Sequence, residues 1–525
     1  MRAILAVYDK EGIQEFAQSL LSMGCEIIAT GGTAKSISDT GIPVTEIADL
    51  TGSPEMFGGR VKTLHPTVHG GILFRGGHAE DEDEVKRYSI PPISLVVCNL
   101  YPFVETATNA ENSFPEILEQ IDIGGPTLIR ASAKNHSAVL PIVDPDDYDK
   151  IIEVLRDADG DVEKISEEYK RTLAAKAFQH VAHYDSLVAE FLRKDDDFPE
   201  RLTLAATKIE EFRYAENPHQ KGSFYTHDSI YVKSEGIGAF TQLHGKQMSY
   251  VNFLDADAAY NLVCDFEEPA LAIIKHTNPA CFACSSDNEN LNELYEQALN
   301  NGDSLSAYGG ILATNRIVDM NFAEALREVR SPDSGTRMFY EIIIAPGYDG
   351  AALQHLRKKS KDLRILEAPI GSPLKDRVEI RSVRGGFLVQ ESDLDQQIEF
   401  QTVSSRVPSD KELADLLIAW KVCKHVKSNA VAFVKDRTLI GMGAGQPNRV
   451  ASAELAKQQA ADNAEGAVAA TDALIPFPDT IEVCASAGCK VIAHTGGSIR
   501  DQESIETADA LNISLVVTGV RHFRH

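Results

Sequence analysis

The sequence predicts an α/β protein with two domains, and three observations support this prediction. Short apolar runs such as ILAVY, CEIIAT and SLVVTG alternate with amphipathic stretches, a pattern typical of strand–helix units around a parallel sheet. The segment KDDDFP at residues 194–199 breaks this periodicity, as a domain boundary does. The chain of 525 residues is long enough for about three compact units. We therefore predict domains at residues 1–195 and 200–525, the second large enough for two subdomains.

Composition excludes several other classes of protein. No apolar run approaches the roughly 18 residues that a membrane span needs. Eight scattered cysteines do not resemble a disulfide framework, and the first residues carry too short an apolar run for a signal peptide. We therefore expect a cytoplasmic protein, with the CxxC of Cys281 and Cys284 as buried free thiols rather than metal ligands. The formal charge of -27 disfavours nucleic acid and anionic membranes, so an anionic ligand must meet local basic groups.

The first candidate site follows a predicted strand and opens a predicted helix, in the motif TGGTA. The backbone N–H groups of Gly31 and Gly32, with the hydroxyl groups of Thr30 and Thr33, suit a phosphate at a helix N-terminus. A strand-to-helix turn also requires glycine for geometric reasons alone. This motif by itself leaves both interpretations open.

A second candidate segment contains two cations two residues apart, Arg60 and Lys62. On an extended segment both side chains point to one side, which suits a clamp for a phosphate or a developing oxyanion. The alternative is a solvated basic edge. The clamp is favoured because a Gly-Gly pair precedes the segment and Pro66 follows it, as in a shaped loop.

Three further motifs add polar groups to the first domain. Asn99 and Tyr101 follow the strand ISLVVC, where open α/β sheets present ligand groups. Asp122 precedes a glycine pair that begins with Gly124, and Lys134 lies further along. Singly, each motif is more often a turn or a cap. Together they suit acid–base and electrostatic catalysis.

In the second domain, the dipeptide Lys275-His276 ends the apolar run LAII. A neighbouring lysine disfavours the imidazolium form of a histidine and so suits a general base; a histidine satisfied in a strand-end turn is equally compatible with the pattern. Asn429 and Gln446, in KSNA and GAGQ, offer groups for a polar ligand. Cations and rings are also interleaved at Arg213, Tyr214, Arg521 and His525.

Long motifs now make a resemblance visible. They include TGGTA, LTGSPEMFGGRVKTLHPTVHGGIL, NLYPF, IDIGGPTLIRASAKNH, RYAENPHQ, KHTNP, AYGGILA, RGGFLVQ, KHVKSNA, GAGQ, PFPD, GGSIRD and RHFRH. In this order, and nearly from end to end, the chain resembles the bifunctional purine-biosynthesis enzymes that combine AICAR transformylase with IMP cyclohydrolase.

The resemblance implies a fold and a function. The first domain would be the cyclohydrolase, with a methylglyoxal-synthase-like doubly wound sheet. The second would be the transformylase, with two cytidine-deaminase-like α/β subdomains but without their zinc. The chain would form a homodimer whose active sites use both copies. It would transfer a formyl group from the cosubstrate 10-formyltetrahydrofolate to AICAR and then close formyl-AICAR to IMP, with no tightly bound cofactor and no metal.

The resemblance also implies residue roles. His276 would be the general base on the substrate amine, Lys275 would orient it or assist the leaving folate nitrogen, and Asn429 would hold the carboxamide. In the cyclohydrolase, the formyl carbonyl and the attacking amide would be surrounded by Lys62, Tyr101, Asp122 and Lys134. The phosphate would be held by Lys10, Gly32, Thr33 and Arg60, and the ribotide in the transformylase by Arg213, Tyr214, Arg521 and His525. Further binding positions within the shared motifs would be Thr30, Gly31, Thr63, Asn99, Gly124, Gly310 and Gln446.

Two departures from the family pattern and two alternative functions remain at this point. Tyr8 stands where family members often have serine, and Ala280 follows KHTNP where they often have cysteine. The first domain could instead be a carbon–oxygen lyase acting on a triose phosphate, as methylglyoxal synthase is, although RVKTLH and IDIGGP fit that activity poorly. It could also be a nucleotide-sensing module that binds IMP without turnover.

Overall fold

The computed structural model describes residues 1–54, 56–194, 196–231, 236–285, 290–370, 378–394 and 398–525. The chain divides into two compact units, which are described separately below. The first consists of Met1–Ala206 and a short segment that starts at His227, and the second consists of Thr207–Thr226 and the later part of the chain to His525.

A five-stranded parallel sheet forms the centre of the first unit, in the order β3-β2-β1-β4-β5. Its strands are β1 (Arg2–Ala6), β2 (Glu26–Ala29), β3 (Thr45–Glu46), β4 (Leu95–Cys98) and β5 (Leu140–Ile142). Strands β2 and β3 are added in turn on one side of β1, and β4 and β5 are then added on its other side. This reversal of strand order confirms the predicted doubly wound sheet, and such sheets bind ligands beside the reversal.

Helices cover both faces of this sheet. They are α1 (Ile13–Ser22), α2 (Gly31–Ser38), α3 (Ile47–Thr51), α4 (Pro66–Leu73), α5 (Ala79–Arg87), α6 (Phe103–Thr108), α7 (Phe114–Glu119), α8 (Gly124–Lys134), α9 (Tyr148–Asp157) and α10 (Glu167–Arg193). In β1, Leu5 packs in one cluster with residues of α1 and α9, whereas Ile4 packs in another with residues of α8 and α10. Both faces are buried, which explains why the strands read as continuous apolar runs.

The first unit extends past the predicted boundary at residues 195–200. Ala205 is buried in one cluster with Phe103 and Leu187, and this burial keeps the segment in the unit. Two strands, β6 (Ala205–Glu211) and β7 (Ser223–Asp228), pair where the chain leaves the unit and returns. The returning segment is held on α10, where the Glu190 carboxylate accepts hydrogen bonds from Ser229 Oγ at 2.6 Å and from Ile230 N at 3.1 Å.

A twelve-stranded sheet forms the centre of the second unit, in the order β16-β21-β20-β19-β17-β18-β10-β9-β11-β12-β13-β8. Its strands are β8 (Thr241–His244), β9 (Ala270–Lys275), β10 (Asn278–Cys284), β11 (Gly310–Thr314), β12 (Tyr340–Ala345), β13 (Arg364–Glu367), β16 (Gln401–Thr402), β17 (Val431–Lys435), β18 (Thr438–Gly443), β19 (Val468–Thr471), β20 (Val491–His494) and β21 (Ser514–Val517). A separate hairpin consists of β14 (Val378–Val383) and β15 (Gly386–Glu391). The CxxC cysteines are buried in β10, and the eight cysteines, all within the described residues, form no disulfide bond.

The same run of elements occurs twice in this unit. The helices are α11 (Tyr250–Cys264), α12 (Leu291–Asn301), α13 (Ser304–Ala307), α14 (Met320–Glu328), α15 (Gly350–Arg357), α16 (Asp410–Lys424), α17 (Arg449–Ala460), α18 (Asp479–Ala487) and α19 (Asp501–Ala510). The first repeat runs from α11 to β13 and the second from α16 to β21. They meet where β10 pairs antiparallel with β18, and the strand order on one side of this pair mirrors the other. This duplication confirms the prediction of two α/β subdomains.

Gly443, at the end of β18, is required by a close approach to α17. A Cβ atom there would lie 2.0 Å from the carbonyl oxygen of Ser452. We expect Gly443→Ala to lower the free energy of unfolding by about 1–3 kcal/mol, because the strand and helix backbones would have to separate. Urea denaturation measures this loss. Gly350→Ala is the control, since a Cβ there meets nothing within 4 Å; an equal loss in both variants would contradict the explanation.

Two candidate active sites

Loops from three adjacent strand ends form the candidate site of the first unit. β1, β2 and β4 are parallel neighbours, so the residues that follow them meet at one edge of the sheet. Asn99, just after β4, joins two of these loops. Its Oδ1 accepts the N–H groups of Tyr8 at 2.6 Å and Asp9 at 3.0 Å, and its Nδ2 donates to Asp9 O at 3.0 Å. The side chain of Asn99 therefore fixes the backbone of the loop that follows β1.

Two ammonium groups lie at the N-terminus of α2. A Cβ on Gly31 would lie 3.5 Å from Lys62 Nζ, and a Cβ on Gly32 would lie 3.9 Å from Lys10 Nζ. Both cations therefore lie near the helix N-terminus, where backbone N–H groups already favour an anion. The Thr33 hydroxyl is buried and bonds both the N–H and the carbonyl of Val7. Thr33 thus holds the β1 loop, and Thr30 is also buried beside it.

Asp122, just before α8, lies near one of these two cations, Lys62. Its carboxylate accepts the N–H of Gly125 at 2.8 Å and hydrogen bonds from the backbone of Tyr101 and Gly124. Burial is the largest influence and raises its pKa, while the N–H donors and the charge of Lys62 act in the opposite direction. A carboxyl group balanced in this way is suited to taking up or releasing a proton.

Other predicted residues of the first unit have distinct places. Arg60 pairs with Glu119, and Tyr101 packs edge-on against Tyr8 with 5.7 Å between ring centroids. Thr63 is buried, and its Oγ1 would lie 2.7 Å from a Cβ atom added to Gly124.

Lys134 is at the far end of α8, about 15 Å along the helix axis from Gly124. It lines a surface cavity with Arg130, His136 and Phe178. The structure therefore does not bring Lys134 to Asp122 within this unit.

A hairpin turn between β9 and β10 carries His276. His276 and Thr277 both have positive φ angles, 52° and 61°, and the imidazole is exposed. The adjacent Lys275 Nζ donates to Tyr308 O at 3.0 Å. Gly310, at the start of β11, is fully inside the sheet, where a Cβ would lie 2.7 Å from Ile274 O. Gly310 is therefore explained by strand packing.

A second group surrounds Asn429. Its Nδ2 donates to Gln446 O at 2.8 Å, and the preceding Ser428 N–H donates to Arg524 O at 2.9 Å. The C-terminal tail thereby contacts the loop that carries Asn429. In this tail the Arg521 guanidinium lies over the Phe523 ring at 4.5 Å, and the His525 ring lies 5.6 Å from the same phenyl ring.

Strand register places these two groups at one edge of the sheet. Lys275 pairs with Asn278 across β9 and β10, and Val431 pairs with Gly443 across β17 and β18. Because β10 and β18 are antiparallel neighbours, the start of β10 lies beside the end of β18. The His276 turn and the Asn429 loop therefore border the same edge.

Arg213 and Tyr214 follow β6 on an exposed loop. The preceding Phe212 packs against Phe253 of α11, with 5.4 Å between ring centroids. α11 also carries Asp255, whose Oδ1 accepts the Thr277 N–H at 2.7 Å. Sequence reasoning missed Asp255, because its role depends on a contact with a turn 22 residues later; the same separation recurs between Asp415 and Arg437.

The described ranges contain no group of three or more His, Cys, Asp or Glu side chains arranged to hold a metal ion. In the same ranges, no helix is both long and apolar enough to cross a membrane.

Comparisons with known proteins identify relatives along the whole chain. A family model described as AICARFT/IMPCHase bienzyme matches residues 132–459, and one described as MGS-like domain matches residues 12–127. Proteins named bifunctional purine biosynthesis protein PurH are 45% identical in Bacillus cereus (strain AH187) and Bacillus anthracis and 44% identical in Bacillus mycoides (strain KBAB4). Each alignment spans 529 positions, covering 100% of this chain and 99% of the relative. A solved structure titled "Crystal structure of ForH" is 41% identical and covers 37% of this chain and 98% of its own, with a TM-score of 0.34.

Proposed function

The chain belongs to the AICARFT/IMPCHase bienzyme family, and on this premise we propose how its residues divide two reactions between its two units. The protein is a bifunctional enzyme of purine biosynthesis, with AICAR formyltransferase and IMP cyclohydrolase activities. Its formyl donor is a folate derivative. We assign formyl transfer to the second unit and ring closure to the first.

In the second unit, His276 acts as the general base. The AICAR amine is a weak nucleophile because its lone pair is shared with the imidazole ring and the carboxamide, so its proton must leave as the new C–N bond forms. The exposed imidazole of His276 is available for this proton. Asn429 holds the carboxamide, and Lys275 assists the leaving nitrogen of 10-formyltetrahydrofolate. The ribotide lies against Arg213, Tyr214, Arg521 and His525.

In the first unit, the phosphate of formyl-AICAR binds at the N-terminus of α2 beside Lys10, with Arg60 leaving Glu119 to join it. Lys62 stabilises the negative charge that develops on the formyl oxygen as the carboxamide nitrogen attacks. Asp122 and Tyr101 transfer the protons that this attack requires, and loss of water completes the ring. The reaction requires positioning and charge stabilisation but no cofactor. The position of Lys134 at the other end of α8 favours a role outside this group.

The proposal is carried by two features that lie in different units: the ammonium groups of Lys10 and Lys62 at the N-terminus of α2, and the exposed imidazole of His276 at a sheet edge. A paired assay tests it. Purified protein receives AICAR with 10-formyltetrahydrofolate in one reaction and formyl-AICAR alone in another, and IMP is followed by chromatography. We expect IMP from both.

Other outcomes of this assay have defined meanings. IMP from formyl-AICAR alone would confine activity to the first unit. No IMP from either, with tight IMP binding, would favour a nucleotide-sensing module. Turnover of dihydroxyacetone phosphate would favour a triose-phosphate lyase. A homodimer whose sites use both copies, the absence of a tightly bound cofactor and a cytoplasmic location stay predictions.

A further inference from the structure

The turn that carries His276 has a backbone conformation that its side chains do not favour. Two consecutive residues, His276 and Thr277, lie in the left-handed region with φ angles of 52° and 61°. Residues with a Cβ atom rarely adopt this region, and two in succession need an external partner to hold them. The direction of the His276 imidazole depends on this turn.

Asp255 of α11 supplies that partner. Its carboxylate accepts the Thr277 N–H at 2.7 Å and also hydrogen bonds with the backbone of His276. Asp255 itself is 9% exposed, so the bonds are shielded from water and charge-assisted. One buried carboxylate thus fixes both left-handed residues.

The second repeat contains the same device. Asp436 and Arg437, in the turn between β17 and β18, have φ angles of 48° and 61°. Their N–H groups donate to Asp415 of α16 at 3.0 and 2.7 Å. The donor–acceptor spacing along the chain is 22 residues in both repeats, between Thr277 and Asp255 and between Arg437 and Asp415.

The lysine before each turn is also equivalent. Lys275 Nζ donates to the carbonyl of Tyr308, just before β11, and Lys435 Nζ donates to that of Glu465, just before β19. The repeats therefore share the turn, its carboxylate and its lysine. They differ at the first left-handed position, which is His276 in one repeat and Asp436 in the other. The two turns lie at opposite edges of the sheet, because β10 and β18 are antiparallel.

We propose that Asp255 is a positioning residue for formyl transfer: it holds the backbone of the turn so that the imidazole of His276 meets the substrate amine. Asp415 performs the same backbone task in the second repeat, where no imidazole depends on it. This inference rests on the proposed role of His276. It explains why a carboxylate buried behind the turn serves catalysis without touching the substrate.

The test compares Asp255→Asn with Asp415→Asn in the full chain. Each substitution keeps the shape of the side chain but removes one of two acceptor oxygens and the negative charge. We expect kcat for formyl transfer to fall about 100-fold in Asp255→Asn, as a displacement of about 1 Å at the base can cause, with KM for AICAR nearly unchanged. Asp415→Asn should keep the wild-type kcat while its melting temperature falls as far as that of Asp255→Asn.

Further variants make the other outcomes decisive. Asp255→Glu, which restores the charge at a longer reach, should recover part of kcat. Equal kcat losses in the two Asn variants, or an unchanged kcat in Asp255→Asn, would overturn the inference. His276→Ala, assayed alongside, separates the two claims. If His276→Ala keeps formyl transfer, the proposed role of His276 as the base is wrong. If His276→Ala loses formyl transfer but Asp255→Asn keeps it, only the positioning role of Asp255 is wrong.

Discussion

His276→Ala is expected to lose formyl transfer and to keep cyclisation of formyl-AICAR at the wild-type rate. A general base contributes about 10²–10⁴-fold to a rate, so kcat for transfer should fall within that range. Cyclisation should persist because the residues assigned to it lie in the other unit. Release of tetrahydrofolate and formation of IMP, measured separately on one preparation, report the two steps.

The matched control for this variant is Asp436→Asn. Asp436 occupies the equivalent position in the second repeat, and its carboxylate forms an exposed ion pair with Lys411, which contributes little to stability. Formyl transfer in this control should match the wild type. If His276→Ala also retained transfer, the assignment of the base would be wrong.

Lys62→Ala is expected to show the opposite pattern, with cyclisation lost and formyl transfer intact. Removal of one donor to a developing oxyanion costs about 10²–10³-fold in kcat, and Lys62 Nζ lies next to Gly31 at the anion-favouring end of α2. The expected product from AICAR and 10-formyltetrahydrofolate is therefore formyl-AICAR, which chromatography separates from IMP.

Lys86→Ala serves as the control for lost positive charge in the same unit, because Lys86 is exposed on α5. Both activities should survive that substitution. Loss of formyl transfer in Lys62→Ala would undermine the division of the two reactions between the units.

Much of the fold could be predicted from the sequence because burial leaves a local pattern. The strands of the first unit are apolar on both faces, so runs such as LVVC mark them directly. The domain boundary was harder to place. Burial of Ala205 depends on side chains of α6 and α10 that are distant in the chain. The local sequence of residues 195–206 does not predict these contacts.

Candidate site residues were predictable where a motif ends a strand. Asn99 directly follows a strand, and Lys62 and Asp122 lie in loops at the same edge of the first sheet. A motif does not reveal which way its members face. The hydroxyl of Thr33 turns inward to Val7, and Gly310 is needed for packing against β9.

Asp255 could not be predicted from its own surroundings. It lies in an apolar helix and is recognised only through its contact with a turn 22 residues later. The duplication of that spacing in the second repeat is visible once the strands are aligned in the sheet. Long-range hydrogen bonds of this kind leave no local periodicity.

The central claim is that the two reactions take place at two independent sites, and a complementation assay tests it most directly. His276→Ala and Lys62→Ala proteins are mixed and supplied with AICAR and 10-formyltetrahydrofolate. Neither variant alone should form IMP at an appreciable rate. The mixture should form it, because formyl-AICAR released by Lys62→Ala is closed by His276→Ala. A mixture as inactive as its components, although both variants are folded, would contradict the claim.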